Sequence, residues 1–515
     1  VSQEDSSRDA QELADFGYRQ RLDRTLGSFS SFAVGFSYLS ILTGLPQLFY
    51  LGYGAGGPAF FWTWPAVFLG QFLVALCFAE LASEFPLSGG VYQWSKHAGS
   101  PGVGWMAGWV YLACSAITLS AVALALQVTL PQLSPAFQFI GSGDDPTDAA
   151  RNAVLLGCVL LVFSTLVNSV GVRLLSRINN VGVFAEIVGA VLLVVLLASA
   201  MKRSPAIVLE TYDRGEGHPL GYLGAFLGAA LTATYVMYGF DTAGSLAEET
   251  DEPRRRAPRA ILGALGSVGL VGALLIVTAL CAVSDPADPM LGQVTGGMPY
   301  VITQVLGSAL GRPLLCLLVV AVTVCTLTVH AAAVRLMFAM ARDNNLPFSE
   351  GLARISETSR TPTLPAVFLG ACAVVLLVVN VNYPRVIEVM ASVSIVWANL
   401  AYLLVTAPLL LRRIRTGARG SGPFSLGKWG LPINALAVAW GAFVIVNLGW
   451  PRAEVYGDGP LRRFCAPLMT AAMLLIGGSY YLLVRRHKTG VLETHRAPAM
   501  APGSMLLDHD GGGRG

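Results

Sequence analysis

The chain reads as an all-α polytopic membrane protein with twelve membrane-crossing helices, and three observations predict this. Of its 515 residues 54% are apolar and only 13% are Asp, Glu, Lys or Arg, against roughly 25% charged in an ordinary soluble domain. Twelve separate stretches are apolar over about 20 residues, the length that a helix rising 1.5 Å per residue needs to cross a hydrocarbon layer of about 30 Å. Lys and Arg divide unevenly between the two sides: with both termini inside, 25 of the 34 lie inside, the bias that marks cytoplasmic loops. The apolar excess excludes a soluble core, a disordered chain and a disulfide-stapled scaffold. A net charge of only +3 with no continuous basic face excludes a nucleic-acid binder. The implied setting is a lipid bilayer, the plasma membrane, with both termini cytoplasmic.

The elements follow in order. Residues 1 to 28 form a charged tail without the apolar core and small-residue cleavage site of a secretory signal, so the first crossing is expected to be retained. Spans one to five cover 29 to 51, 58 to 82, 103 to 130, 152 to 171 and 181 to 201. Spans six to ten cover 221 to 246, 260 to 283, 313 to 340, 365 to 383 and 386 to 411, and two further spans cover 431 to 450 and 464 to 484. Five is odd, so if spans six to ten repeat spans one to five, the second unit is inverted in the membrane. This divides the chain into units 29 to 201 and 221 to 411, two added helices over 431 to 484, and a tail over 485 to 515 expected to be disordered. The basic runs Arg254 to Arg256 with Arg259, and Arg412, Arg413, Arg415, Arg419 and Lys428, read as solvated or headgroup-facing loops. The eight cysteines lie in or beside apolar segments with no CxxC, and read as apolar fillers rather than metal or redox groups. No metal, cofactor or catalytic group is called for.

The chemistry is expected where helices break. Span one carries Ser40-Ile41-Leu42-Thr43-Gly44-Leu45-Pro46, with a glycine and a proline in mid-membrane. Span six carries Tyr235-Val236-Met237-Tyr238-Gly239-Phe240-Asp241-Thr242. Unwound backbone is tolerated at membrane depth only where it lines a cavity or meets a ligand, and interruptions at matching places in two halves point to a binding site at their interface. A zwitterion suits such a site: its carboxylate takes N–H groups at a half-helix amino end and its ammonium takes free carbonyls. Taken singly, Gly44 and Gly239 fit close helix packing as well; their matched placement favours the site. Asp241, an acid near the bilayer centre, normally faces a cavity or partner, the alternative being a neutral structural acid. Glu186 in span five is either a proton or cation coupling group or an acid bonded to a neighbouring helix. Glu80 and His330 read as packed, bonded groups. Ser394, Trp397, Thr323, Thr326 and Thr328 fit cavity lining and helix contacts equally.

Three stretches carry a family resemblance: Ala79-Glu80-Leu81-Ala82-Ser83-Glu84-Phe85-Pro86-Leu87-Ser88-Gly89-Gly90-Val91-Tyr92-Gln93-Trp94; Tyr238-Gly239-Phe240-Asp241 running on through Glu248-Glu249-Thr250 to Pro253 and Pro258-Arg259-Ala260; and Arg335-Leu336-Met337-Phe338-Ala339-Met340-Ala341-Arg342-Asp343 with Leu346-Pro347. In order, spacing and sidedness they resemble the amino acid–polyamine–organocation superfamily, in its branch of amino-acid/choline and 4-aminobutyrate permeases, over roughly residues 25 to 485. The resemblance implies the five-plus-five inverted-repeat transporter fold and alternating access, and no enzymatic activity. It implies an amino acid or related amine bound between spans one and six. It puts the backbone of Thr43 and Gly44 on the substrate carboxyl side and Gly239, Phe240 and Asp241 on the amino side, with Tyr235 where relatives carry a gating aromatic; Ser40, Thr242 and Trp397 complete the expected site. Two departures stand out. Leu42-Thr43-Gly44 replaces the glycine-small-glycine triplet of many relatives, and Glu186 stands where some proton-coupled relatives have lysine. The expectation is therefore that Glu186 itself takes up and releases a proton. An inner gate is expected between Arg24 and Asp343, both on the cytoplasmic side.

Competing readings are a twelve-span carrier of the major facilitator type, a membrane-embedded enzyme, and a transport-inactive sensor with the same fold. The first lacks its glycine/aspartate/arginine motif between spans two and three. The second would have to build on His330 and Asp241, which share no motif. The third uses the same pocket and separates from a carrier only by flux.

Overall fold

The computed structural model describes residues 13 to 496, except 21, 23, 25, 144, 217, 219, 358 to 360, 384, 418, 453 to 455, 458 and 489. Its elements are helical; among the described residues the strand-like pairings are two isolated bridges, Tyr18 with Arg496 and Leu26 with Thr250. Among the described residues ten helical stretches are long and apolar enough to cross a membrane, Ser28–Gly56 taken as one, and two more, Tyr222–Val236 and Thr363–Val379, are apolar but shorter. The chain is a multi-pass membrane protein.

In chain order the helices are α1 (Ser28–Leu39), α2 (Ile41–Gly56), α3 (Thr63–Glu84), α4 (Gly90–Ala98), α5 (Pro101–Ala123), α6 (Ala125–Leu133), α7 (Pro146–Val170), α8 (Val172–Ser199), α9 (Tyr222–Val236), α10 (Pro253–Ala282), α11 (Gly297–Arg342), α12 (Thr363–Val379), α13 (Val386–Thr416), α14 (Gly430–Gly449) and α15 (Cys465–Leu483). Local chemistry sets several starts. Pro146 occupies the first position of α7, and the Asp145 carboxylate before it accepts the Thr147 and Asp148 amides, which satisfies two of the helix's orphan donors. Those same bonds hold the Asp145 carboxyl below its usual range.

Three limits differ most from the sequence reading. Helix α8 begins at 172 rather than 181, because Arg173, Arg177, Asn179 and Asn180 stay helical although they break the apolar run. Helix α11 begins at 297 rather than 313 and turns at Gly307 (φ 69°, ψ 176°), a conformation glycine adopts at little cost. The sixth stretch is helical only to Val236 and unwinds thereafter.

The core is a bundle in which α1, α2 and α9 lie inside. Helix α9 runs along α2, α13 along α5, α10 along α3, and α8 along α11, while α14 and α15 pack outside against α13. The outer faces are apolar. On α8, Phe184 is 65% exposed whereas Glu186, two residues on, is 2% exposed, so this helix shows hydrocarbon outward and turns its acid into the bundle.

Candidate functional site

Ser40 is the first break. Its φ of 27° and ψ of 95° leave the helical range, and this single residue separates α1 from α2. The Thr43 and Gly44 amides both donate to the Ser40 carbonyl, at 3.2 and 3.0 Å, so α2 is wound from its first turn and carries Pro46 inside it. This corrects the sequence reading, which set the interruption at Gly44 and Pro46. Proline's missing N–H frees only the carbonyl four residues earlier, that of Leu42 in the first turn. Gly44 serves close packing: a Cβ there would come within 2.9 Å of Val236 Cγ2 on α9. The amino end of α2 meets Glu186 instead. Its Oε1 accepts the Ser40 hydroxyl at 2.7 Å and the Leu42 amide at 3.2 Å, while its Oε2 has no partner.

The second break spans residues 237 to 241, between the end of α9 and a helical turn at Thr242–Ser245. Gly239 sits at φ 92°, and a Cβ there would fall 1.9 Å from the Tyr38 ring, so both backbone shape and space require glycine. Its amide donates to the Tyr402 hydroxyl at 2.8 Å and its carbonyl accepts the Thr242 hydroxyl at 2.7 Å. Asp241 Oδ1 accepts hydroxyls from Tyr111 at 2.6 Å and Tyr402 at 2.5 Å; Oδ2 is buried without a partner. Phe240 packs between Phe78 and Tyr402, with ring centroids 5.8 and 5.3 Å away. Tyr238 reaches Thr118 at 2.9 Å and Ser394 at 3.2 Å. A hollow of about 10 Å³ between the two breaks is lined by Tyr38, Thr43, Gly44, Thr118, Tyr235 and Tyr238 among others. That is about the room for one water, so the site is closed down around its own side chains.

Of the residues the sequence singled out, the structure gathers Ser40, Thr43, Gly44, Tyr235, Gly239, Phe240, Asp241, Thr242 and Glu186 around these two breaks. Trp397 does not join them: its indole donates to Thr470 on α15 at 2.9 Å, on the outer side of the bundle. Tyr111 and Tyr402, which hold Asp241, were missed; their sole trace in the sequence is a phenol in an apolar span.

The family description "Amino acid permease" matches residues 26–461. The chain belongs to the amino acid permease family. The match bears out the resemblance drawn from the three motif stretches, and the family is one of permeases rather than enzymes. Among relatives, the amino-acid permease BAT1 of Arabidopsis thaliana is 28% identical over 92% of this chain and 94% of its own. The amino-acid permease 2 of Neurospora crassa is 26% identical over 85% of this chain and 81% of its own. The GABA-specific permease of Saccharomyces cerevisiae is 22% identical over 93% of this chain and 85% of its own.

Beyond Tyr238 to Asp241, which form the second break, the motif stretches of this permease converge at one end of the bundle, the tail end, where the described residues of 13 to 26 and 485 to 496 also lie. Arg342 forms a two-pronged pair with Glu248, both contacts 2.9 Å, and Arg335 pairs with Glu249 at 2.9 Å; all four side chains are 1 to 2% exposed. Glu248 also accepts the Ser88 amide at 3.0 Å. Glu80 pairs with Arg413 and so ties α3 to α13. The expected Arg24–Asp343 pair is corrected. Asp343 takes Lys96 at 2.7 Å, Tyr92 at 2.6 Å and Tyr18 at 3.0 Å, whereas Arg24 reaches the Thr250 carbonyl and Gln20, both at 3.5 Å. Lys96, at the end of α4, supplies the cation expected from Arg24, and the segment before α1 reaches Asp343 through the Tyr18 hydroxyl instead. Burial pushes the Asp343 carboxyl up, but the Lys96 and Arg342 charges outweigh it and hold the group below the usual carboxylate range. At the far end a cavity of about 1000 Å³ is lined by Tyr50, Gln127, Arg214, Arg385 and Glu388 among others. There the Tyr50 hydroxyl donates to Glu388 at 2.8 Å, joining α2 to α13. His330 is packed, with Ser164 at 3.0 Å and the Ala366 carbonyl at 2.9 Å. Among the described residues no group of three or more His, Cys, Asp or Glu is set to hold a metal.

Proposed function

We propose that this permease is a secondary active transporter that carries an amino acid or related amine across the plasma membrane by alternating access. The single observation behind this is the facing pair of helix breaks, at Ser40 and at 237 to 241, each furnished with a buried acid that keeps one oxygen unpartnered. In this reading the chain crosses the membrane twelve times as two inverted units, 29 to 201 and 221 to 411, with two added helices over 431 to 484. The tail end faces the cytoplasm, with residues 1 to 28 and 485 to 515 on that side. The breaks fall in the first span of each unit, which supports the inverted arrangement. The substrate ammonium goes to Asp241 Oδ2 and the neighbouring carbonyls, and Glu186 carries the coupled proton. The tail-end ion pairs and the Tyr50–Glu388 bond are the inner and outer closures. The relatives' names support amino acids, 4-aminobutyrate included, as the substrate class.

A melting-temperature screen of the purified protein against amino acids and amines, followed by uptake of the strongest hit into proteoliposomes under imposed pH and sodium gradients, tests this. Accumulation and counterflow are expected. Binding without flux identifies a sensor, and pH-driven accumulation that survives Glu186→Gln removes Glu186 as the coupling group.

A further inference from the structure

An amino-acid carboxylate entering this site would look for the amino end of α2, where peptide N–H groups and the helix dipole converge. That position is taken. The Thr43 and Gly44 amides are bonded to the Ser40 carbonyl, and the Leu42 amide and the Ser40 hydroxyl are bonded to Glu186 Oε1. Glu186 is 2% exposed and its second oxygen meets no donor. The partners of Asp241, on the other break, are the neutral hydroxyls of Tyr111 and Tyr402. The two acids are therefore held by neutral donors, and among the described residues no lysine or arginine is bonded to either.

The groups around Glu186 do not supply a counter-charge. From α11 the titratable side chain set against it is Cys325, whose thiol donates to the Tyr38 carbonyl at 3.4 Å; His330 and Arg335 on that helix are bonded to other partners. Tyr38 of α1 packs edge-on to Tyr238, and Tyr50 of α2 is given to Glu388. Helices α7 and α10 carry their charges only near their ends, Asp148 with Arg151 and Arg254 to Arg259, and α8 carries, besides Glu186 itself, only Arg173 and Arg177 near its start.

We propose that Glu186 is the site's own carboxylate, standing where an amino-acid substrate would place its carboxylate, so that the site takes a carboxylate-free amine while Glu186 is ionised and takes an amino acid only when Glu186 is protonated and releases α2. This rests on the permease reading above and names its substrate rule. Two carboxylates cannot both stay ionised on one helix end in a dry site. Binding of an amino acid is thus tied to uptake of one proton, and binding of an amine is not. Raising the pH weakens amino-acid binding by about tenfold per unit once Glu186 is ionised in the empty site, while amine binding does not fall.

The test is calorimetric titration of the full-length purified protein with two matched pairs, 4-aminobutyrate against n-propylamine and L-alanine against ethylamine, each in two buffers of different ionisation enthalpy. The wild-type protein is expected to take up about one proton per amino acid and none per amine. Glu186→Gln is expected to bind the amino acids without proton uptake and with an affinity that no longer changes with pH. Amino-acid binding without proton uptake by the wild-type protein, a measurement that needs no variant, overturns the proposal, as does undiminished uptake in Glu186→Gln. Absence of binding by both members of both pairs overturns the permease site itself, and the proposal with it.

Discussion

At the scale of single residues, Asp241 and Gly239 set what the second break can do. Two phenols hold one oxygen of Asp241 and leave the other bare, so the acid is oriented before any ligand arrives. A charge-assisted hydrogen bond from an ammonium is worth about 1.5 to 3 kcal/mol. Asp241→Asn is therefore expected to weaken amine binding by roughly 10- to 100-fold, read by equilibrium binding, with the melting temperature little changed. Tyr402→Phe removes a donor from Asp241 and leaves the Gly239 amide unpaired, at a cost of about 1 to 3 kcal/mol in stability. Gly239→Ala meets both the positive φ and the Tyr38 ring. It is expected to abolish binding, and a fully active Gly239→Ala would show that the observed backbone at this break is not the one that functions.

At the scale of elements, the two broken helices differ in kind. The second opens over five residues and the first over one, because Glu186 accepts the Leu42 amide and the Ser40 carbonyl accepts those of Thr43 and Gly44, which keeps α2 wound from its first turn. The existence of both breaks was legible in the sequence: a glycine, a proline and an acid in mid-span cannot all be absorbed by an ordinary membrane helix. Their exact place was not. Pro46 suggested an interruption at its own position, yet a proline in the second turn leaves only the Leu42 carbonyl without its amide, and the helix stays wound past it. Ser40 carries no sequence mark of a positive φ. Glu186 was legible as a buried acid by its residue type alone, but its contact with α2 depends on how α8 packs, which no local pattern encodes. The α2–α9 contact gives a further expectation. Gly44→Val overpacks against Val236, costing about 1 to 3 kcal/mol, and should lower the melting temperature and slow flux together. Unchanged flux would mean that these helices do not need to stay in contact.

At the scale of the whole molecule, the contacts at the tail end join groups far apart in the sequence: the segment at 18, α4, the turn after the second break and the end of α11. Arg342 with Glu248 is buried, so removing one partner strands a charge. Arg342→Ala or Glu248→Ala alone is expected to cost about 3 to 5 kcal/mol, while replacing both by apolar residues of similar volume is expected to restore most of the loss, as denaturation midpoints will report. The pH window of the Lys96–Asp343 pair follows from its shifts. Burial lowers the Lys96 ammonium, but the Asp343 carboxylate and Tyr18 more than compensate and raise it, so its contribution is full below about pH 10 and lost as pH rises through the raised value. Asp343 is held low, so its contribution is full above about pH 4 and lost as pH falls through the lowered value. Between pH 5 and 8 the pair does not titrate. Lys96→Met is accordingly expected to change the rate of transport without changing the shape of its pH profile, and a displaced profile would assign the proton to the gate rather than to the site.

On the proposed function a small amine is held between the break at Ser40 and the break at 237 to 241. Equilibrium binding of the strongest screening hit to wild-type protein and to Asp241→Asn, each first shown to be folded by its melting curve, tests it most directly. Saturable binding that weakens at least tenfold in the variant is expected. Equal affinity in the two proteins would contradict it.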